Sequence, residues 1–348
     1  MKFFLSWMLA AIAAMAVLIY GSGLSSAKPQ DAPVTDAAAD VFSQFYIPLP
    51  QGAEKTVIPA EAAEKFDISV YNAKAKAYMD MPLDEYLYGV LLAEMPKEFG
   101  GEALKAQAVA ARTLVMYKLS ASAPAEHKNA PVCTSSGHCM AYISPEDYAA
   151  AAGDASYLLR VKEAVDSTSG QILTYLGKPI MAAFHASSYG STENVSDVWQ
   201  TDLPYLTSVY TPEAEYPDKV KKLITEKTVT ELEFYDAVCS YDKDTALTAA
   251  AVKKGIACKK DPAGRVKTVG LGDTEIKASA LRTALSLRST DFTVRAEDGG
   301  KLTFTVRGSG HGVGMSQYGA AIMAENGSDY TEILSHYYVG TELSEISR

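Results

Sequence analysis

Apolar positions along the chain fall into regimes that change sharply twice. Lys2 is followed by FFLSWMLAAIAAMAVLIY, 18 residues from Phe3 to Tyr20 without a charge, and Gly21 to Leu24 prolong the run. About 20 apolar residues of helix cross a hydrocarbon core, so residues 1–27 read as an N-terminal transmembrane anchor. A cleaved signal segment is the rival, because Ser25-Ser26-Ala27 supplies the small residues of a cleavage site. Both readings carry residue 28 onward out of the cytoplasm, and the first makes a single-pass protein of the cell membrane. Residues 28–65 hold many Pro, Ala and acidic residues without a clean period, the make-up of a linker.

From Phe66 the pattern becomes that of a folded chain. FDISVYNAKAKAYMDM alternates as a strand, and Pro82 opens the helical stretch PLDEYLYGVLLAEM. Gly100-Gly101 punctuates. In EALKAQAVAARTLVMYKLSA, Leu104, Ala108, Ala111 and Val115 recur at +4, +3 and +4, which marks one buried helical face. A polar loop follows from Ser120 to about Ile143, then a helix over about Pro145–Val165 and the strand-like QILTYLGKPIMAAFHASS. Residues 212–264 are charged and irregular and read as an insertion. VKTVGLG and DTEIKASALRTALSL predict a strand and a helix, and FTVRAEDGGKLTFTVRG predicts a hairpin turning at Asp298-Gly299-Gly300. A Gly-rich loop and a last helix from about Met315 end the pattern. Strands and helices mix without regular βαβ alternation, so the expected class is α+β, with one large domain over 66–348.

Charge narrows the partners. With 32 basic and 42 acidic residues the formal balance is −10, which argues against a general nucleic-acid binder. Hydrophobic residues at 48% and charged residues at 21% suit a chain with a real core.

Glu94 closes the first helix among Leu91, Leu92, Ala93, Met95 and Pro96. A carboxyl desolvated by such neighbours has a raised pKa and is fit to act as a general acid. Taken alone, however, a Glu at a helix end reads as solvent-exposed, and Lys105, Gln107 and Arg112 on the second helix read as a solvated face. Arg112 is also within sequence reach of a carboxylate such as Glu94.

The loop HKNAPVCTSSGHC carries the most specific local signal. It places His127, Cys133, His138 and Cys139 within 13 residues, as H-x5-C-x4-H-C. Two thiolates and two imidazoles complete a closed tetrahedral zinc site, which braces a loop and leaves no position open for water. A Cys133–Cys139 disulfide is the alternative, and a zinc hydrolase using His127 and His138 a more distant one. For Cys239 and Cys258 a disulfide is the natural fate outside the cytosol.

Two further stretches are dense in polar groups. FHASSYGSTENVSDVW holds His185, Ser188, Tyr189 and Glu193; no G-x-S-x-G accompanies them, so a hydrolase triad gains no support. RGSGHGVGMSQYGA alternates glycines at 308, 310, 312 and 314, fits no phosphate-loop spacing, and displays His311 and Gln317.

In their order, EMP with EALKAQAVAARTLVMY, FHASSYGSTENVSDVW with DLPYL, ALRTALSLRST and GSGHGVGMSQYGA closely resemble the stage II sporulation protein D family over residues 66–348. The resemblance implies a peptidoglycan lytic transglycosylase acting in forespore engulfment, with Glu94 as catalytic acid and base. It implies that Gln107, Arg112, His185, Ser188, Tyr189, Glu193, His311 and Gln317 line a glycan groove. Peptide-stripped glycan strands would be the substrate, and a membrane-anchored amidase and other engulfment proteins the partners. A non-catalytic enhancer of a cell-wall amidase is the alternative. Tyr189 stands before Gly190 where that family commonly shows paired glycines, which departs from the pattern.

Overall fold

The computed structural model describes residues 66–346 apart from 121–126, 128, 153, 200, 242–255, 272 and 273. The anchor and linker expected over 1–65 lie outside these residues. Among the described residues no helix is long and apolar enough to cross a membrane.

The stretch expected as one strand is a hairpin, β1 (Asp67–Asn72) and β2 (Ala77–Pro82), reversing near Lys76 at φ 53°. Pro82 immediately precedes helix α1 (Leu83–Glu94), which carries Asp84 and Glu85 in its first turn where acidic groups favour the helix dipole. Pro96 disfavours helical backbone at the residue before it, and Met95 is accordingly extended at φ −103°, ψ 131°. Helix α2 (Gly101–Leu119) buries Leu104, Ala108, Ala111 and Val115 as expected, but also Ala103, Ala106, Gln107, Val109, Ala110, Arg112 and Thr113. It is therefore enclosed on most sides, and the reading of Gln107 and Arg112 as solvated is corrected.

The two-residue strand β3 (Val132–Cys133) joins β1 in parallel. The single helix expected after it is two, α3 (Pro145–Ala152) and α4 (Ala155–Asp166). Asp154 breaks the run, because its side chain accepts from the N–H groups of Ser156 and Tyr157 and starts α4 afresh. Next come β4 (Gln171–Tyr175), β5 (Lys178–Pro179), β6 (Phe184–His185), β7 (Gly190–Ser191), the short helix α5 (Val195–Trp199) and β8 (Tyr210–Thr211).

The charged stretch read as irregular holds regular elements: β9 (Ile224–Thr230), α6 (Glu231–Tyr241) and β10 (Ile256–Lys260). They are followed by β11 (Val266–Leu271), β12 (Thr274–Lys277), α7 (Ala278–Ala284) and the expected hairpin β13 (Phe292–Glu297) with β14 (Lys301–Arg307). Beyond β15 (Met315–Ser316) the single final helix becomes α8 (Gln317–Glu325) and α9 (Tyr330–Tyr337), the second begun by an Asp329–Glu332 capping box. Strand β16 (Glu342–Glu345) returns to pair with β4.

Small separate sheets, ordered β2-β1-β3, β16-β4-β5, β13-β14-β9 and β10-β11-β12, give a mixed α+β architecture. Among the described residues two large apolar cores organise it. One gathers α1, α2, α4 and α8 around Tyr86, Leu91, Leu104 and Ile322; the other gathers β9 to β14 with α6 and α7 around Phe234, Phe292 and Phe304. The glycine-rich strap from 308 to 316 runs alongside β6, to which β15 pairs in parallel.

Candidate functional site

Glu94 is half-buried at the last position of α1. The bend behind it is pinned: the Tyr157 hydroxyl donates to the Met95 carbonyl at 2.8 Å, and Met95 N–H returns to Leu91 O at 3.0 Å. The Ala141 N–H donates to Glu94 Oε1 at 2.6 Å. Burial pushes the carboxyl up from its ordinary range, while the Ala141 N–H and the neighbouring Gln317 carboxamide pull it partly back. Gln317 opens α8, and its buried Nε2 has no hydrogen bond of normal geometry although it lies near enough to favour the carboxylate. A carboxyl whose protonated form is favoured by burial, and whose ionised form already has a backbone donor in place, can both give and recover a proton.

The Cys and His side chains of the polar loop converge. His127 Nε2 lies 3.0 Å from His138 Nδ1, Cys139 Sγ lies 3.3 Å from that Nδ1 and 3.6 Å from His127 Nε2, and Cys133 Sγ lies 3.7 Å from His138 Nδ1. All four ligand atoms fall within 4.8 Å of one another. Bonds of about 2.0–2.3 Å to a tetrahedral zinc require ligand separations of roughly 3.3–3.8 Å, so the set fits with little movement. His127 Nδ1 sits 2.7 Å from the Ala130 carbonyl, to which it would donate, leaving Nε2 bare for a metal. All four cysteines are free thiols, so neither expected disulfide is formed. Cys239 instead bonds Tyr235, one helical turn back on α6.

This loop leads directly to Glu94. Tyr86 donates to the Cys133 carbonyl at 3.1 Å and stacks on Tyr142 at 5.6 Å, and Ile143 N–H reaches Gly89 O at 3.2 Å. A Cβ at Gly89 would lie 2.2 Å from the Tyr142 ring and 2.7 Å from the Ile143 oxygen. Only glycine allows so close an approach, and the approach brings the Ala141 N–H against Glu94.

A second polar cluster forms where the strap faces β6. His185 Nδ1 is 3.3 Å from the Val313 carbonyl and Nε2 is 2.7 Å from Ser188 Oγ. Burial, with His311 and Arg265 adding, holds His185 well below the usual histidine range, so it is neutral; Nδ1–H donates to Val313 and Nε2 accepts from Ser188. Arg265 donates to Ser188 Oγ at 2.9 Å and pairs through Nε with Glu193 at 3.1 Å. Burial, reinforced by Asp261, outweighs Arg265 and pushes Glu193 up to about 8. His311 falls to about 4 through burial and the nearby Arg282 and Arg265. Beneath this cluster the fully buried Glu213 accepts from Ser188 N–H at 3.0 Å and from the Ser316 and Thr211 hydroxyls.

Over residues 71–175 the chain matches the family model described as Stage II sporulation protein. Stage II sporulation protein D of Bacillus amyloliquefaciens is 36% identical over 299 residues, 85% of this chain and 82% of the relative. The chain belongs to the stage II sporulation protein D family. The Bacillus subtilis (strain 168) protein of that name is 34% identical over 305 residues, 84% of this chain and 86% of the relative. A protein named Amidase enhancer from the same organism is 28% identical over 305 residues, 74% of this chain and 40% of the relative.

Not every residue singled out by resemblance to the family sits near Glu94. Arg112 is completely buried and its carboxylate partner is Asp84, not Glu94. It donates to Asp84 Oδ1 from Nε at 3.2 Å and Nη2 at 2.9 Å, and to the carbonyls of Thr168, Val165 and Gln171 at 2.8, 3.1 and 3.3 Å. Those carbonyls end α4 and enter β4, so Arg112 staples three segments. Gln107 is likewise fully buried, with neither amide atom bonded. Tyr189 stands at the surface, 36% exposed, with the Arg307 guanidinium 5.4 Å above its ring. Sequence reasoning passed over Asp84, Glu213, Arg265 and Arg282. Arg282 lies in the stretch ALRTALSLRST.

Proposed function

We propose that this member of the sporulation family is a lytic transglycosylase of peptidoglycan glycan strands, with Glu94 as acid and base. The observation that carries the reading is the half-buried Glu94 carboxyl, raised by burial and held by the Ala141 N–H. In protonated form Glu94 gives its proton to the oxygen joining N-acetylmuramic acid to N-acetylglucosamine, and that C–O bond breaks. The resulting carboxylate then takes the proton of the muramoyl C6 hydroxyl, whose oxygen closes on C1 to form a 1,6-anhydro ring. No water is consumed, so the second carboxylate of an ordinary glycosidase has no task. Among the described residues the groups acting on Glu94 are an amide N–H and a carboxamide rather than another acid, in keeping with that economy.

On this reading His127, Cys133, His138 and Cys139 hold a structural zinc that fixes the loop delivering Ala141, and the metal takes no part in the bond changes. Residues 1–27 tether the chain to the membrane with the folded part outside the cytoplasm. An amidase that strips stem peptides would supply the substrate, working beside other engulfment proteins. Digestion of purified, peptide-free glycan strands followed by mass spectrometry tests the proposal. Anhydro ends from the wild type that vanish with Glu94→Gln support it; ordinary reducing ends exclude the mechanism.

One observation favours a second reading, the 28% identity to a protein named Amidase enhancer. Under it the chain binds cell wall and stimulates an amidase without cutting glycan. Stimulation of a purified amidase that is unaffected by Glu94→Gln, with no glycan product, would select this reading.

A further inference from the structure

The cluster around His311 holds more positive charge than its own contacts use. Arg265 is 3% exposed, donates to Ser188, pairs with Glu193, and retains a buried Nη1 with no partner. Arg282 bonds only the Leu287 carbonyl among the described contacts, at 3.3 Å, and lies close enough to Arg265 and His311 for its charge to act on both. Nearby acids are committed: Asp197 to Lys267 at 2.6 Å, Asp261 to the Arg265 backbone N–H at 2.9 Å and to the Glu193 carboxyl, and Glu193 also to Arg265 Nε. Among the described residues Arg282 has no carboxylate partner.

Beside this charge stands an aromatic wall. Trp199, 41% exposed at the end of α5, has its ring centroid 4.9 Å from that of His311. Gly312 lets the strap close on the cluster, since a Cβ there would lie 2.6 Å from Arg265 Cζ and 2.8 Å from Glu193 Cγ. A guanidinium with a free buried donor recognises a carboxylate, and an exposed indole face recognises the apolar side of a sugar ring.

The geometry points to a pocket formed by Arg265, Arg282, His311 and Trp199 that binds an acidic sugar, with its carboxylate on the arginines and its ring against Trp199. Within the proposed function the acidic sugar is N-acetylmuramic acid whose lactyl carboxylate is free because no stem peptide is attached; to that extent the inference rests on the glycan reading. His311 on the strap and Gln317 at the start of α8 are six residues apart, at most about 20 Å if fully extended, so one glycan strand can reach both the pocket and Glu94. An attached peptide would replace the carboxylate with a neutral amide and lose the arginines, so the pocket would select stripped strands.

The test is binding, measured calorimetrically on the full chain carrying Glu94→Gln so that no cleavage intervenes. The probes are the disaccharide N-acetylglucosaminyl-N-acetylmuramic acid and its lactyl methyl ester. The acid should bind at least about tenfold more tightly, as expected when a charge-assisted contact to arginine is lost with the ester. Arg282→Gln, with an unchanged melting temperature, should reduce that preference to less than about twofold. Equal binding of acid and ester, or binding of neither, overturns the pocket whether or not any substitution folds. A preference unchanged by Arg282→Gln overturns the assignment to these residues. Wild-type digests answer the separate question of whether glycan is cut, so the two readings can fail independently.

Discussion

The Ala141 backbone N–H donates to Glu94 Oε1 at 2.6 Å from a position two residues beyond Cys139. The side chain proposed to do the chemistry is thus held by the loop that gathers two thiols and two imidazoles.

Replacing Glu94 by Gln keeps its volume and removes its proton traffic. The rate of anhydro-end formation should fall by about 10²–10⁴-fold, the usual contribution of a general acid–base group. Affinity for glycan should change little, which comparison of turnover with binding will show.

Zinc content, measured by mass spectrometry of the purified chain, should be about one ion per molecule. Cys133→Ser or exhaustive chelation should abolish it and lower the melting temperature by about 5–10 °C, corresponding to a ligand at roughly 100 times its dissociation constant. A metal-free wild type with full thermal stability would refute the structural role.

Gly89→Ala should impair the same loop from the other side. The added methyl meets the Tyr142 ring and the Ile143 oxygen well inside contact distance, and overpacking of this kind costs about 1–3 kcal/mol. Because the loop must shift, glycan cleavage should drop by more than stability does, a comparison that needs only a melting curve and an activity measurement at one temperature.

Arg112→Met should behave differently from a groove mutation. It removes a buried charge from Asp84 and three carbonyls, and breaking a buried pair costs about 3–5 kcal/mol. Denaturant unfolding should report that loss, while chains that remain folded bind glycan as wild type does.

His185 facing the strap and His311 on it make stability depend on pH. Burial lowers both His185 and His311, the latter to about 4, from an ordinary value near 6.5. Unfolded chain takes up protons below pH 6.5 before the folded chain can, so their contribution is complete above that pH. It declines as pH falls toward 4. Thermal melts from pH 7.5 to 4.5 should show this loss, and it should shrink in a His311→Gln variant. Activity should fall in the other direction, as rising pH deprotonates Glu94, whose pKa burial raises.

How much of this was visible in the sequence depended on how far apart the partners lie along the chain. The burial of Leu104, Ala108, Ala111 and Val115 follows from helical spacing, and the convergence of His127 with Cys139 follows from thirteen residues of one loop. Arg112 was misread because its partner, Asp84, is 28 positions earlier on another helix, where no local period connects them. Arg265 and Ser188 are separated by 77 positions, and Ser316 and Glu213 by 103, so Arg265 and Glu213 gave no sign in any window. The helix expected over 145–165 was split by one side chain, Asp154, whose capping bonds outweigh the continuity of the apolar pattern. The stretch over 212–264 looked irregular because β9 buries only Val229 and β10 buries no residue fully, which leaves no alternation to read, and the core they cover is completed by β13 and β14 much later in the chain.

Glycines 308, 310, 312 and 314 all have positive φ, and a Cβ on them would strike the Ser187 carbonyl, His185, Arg265 and the Ala183 carbonyl in turn. Val313 between them is fully buried, so evolution and protein engineering are left with Ser309 and His311 for altering what the strap presents. A library randomised at those two sites should yield folded variants with shifted sugar preference, whereas one randomised at the even sites should yield almost none.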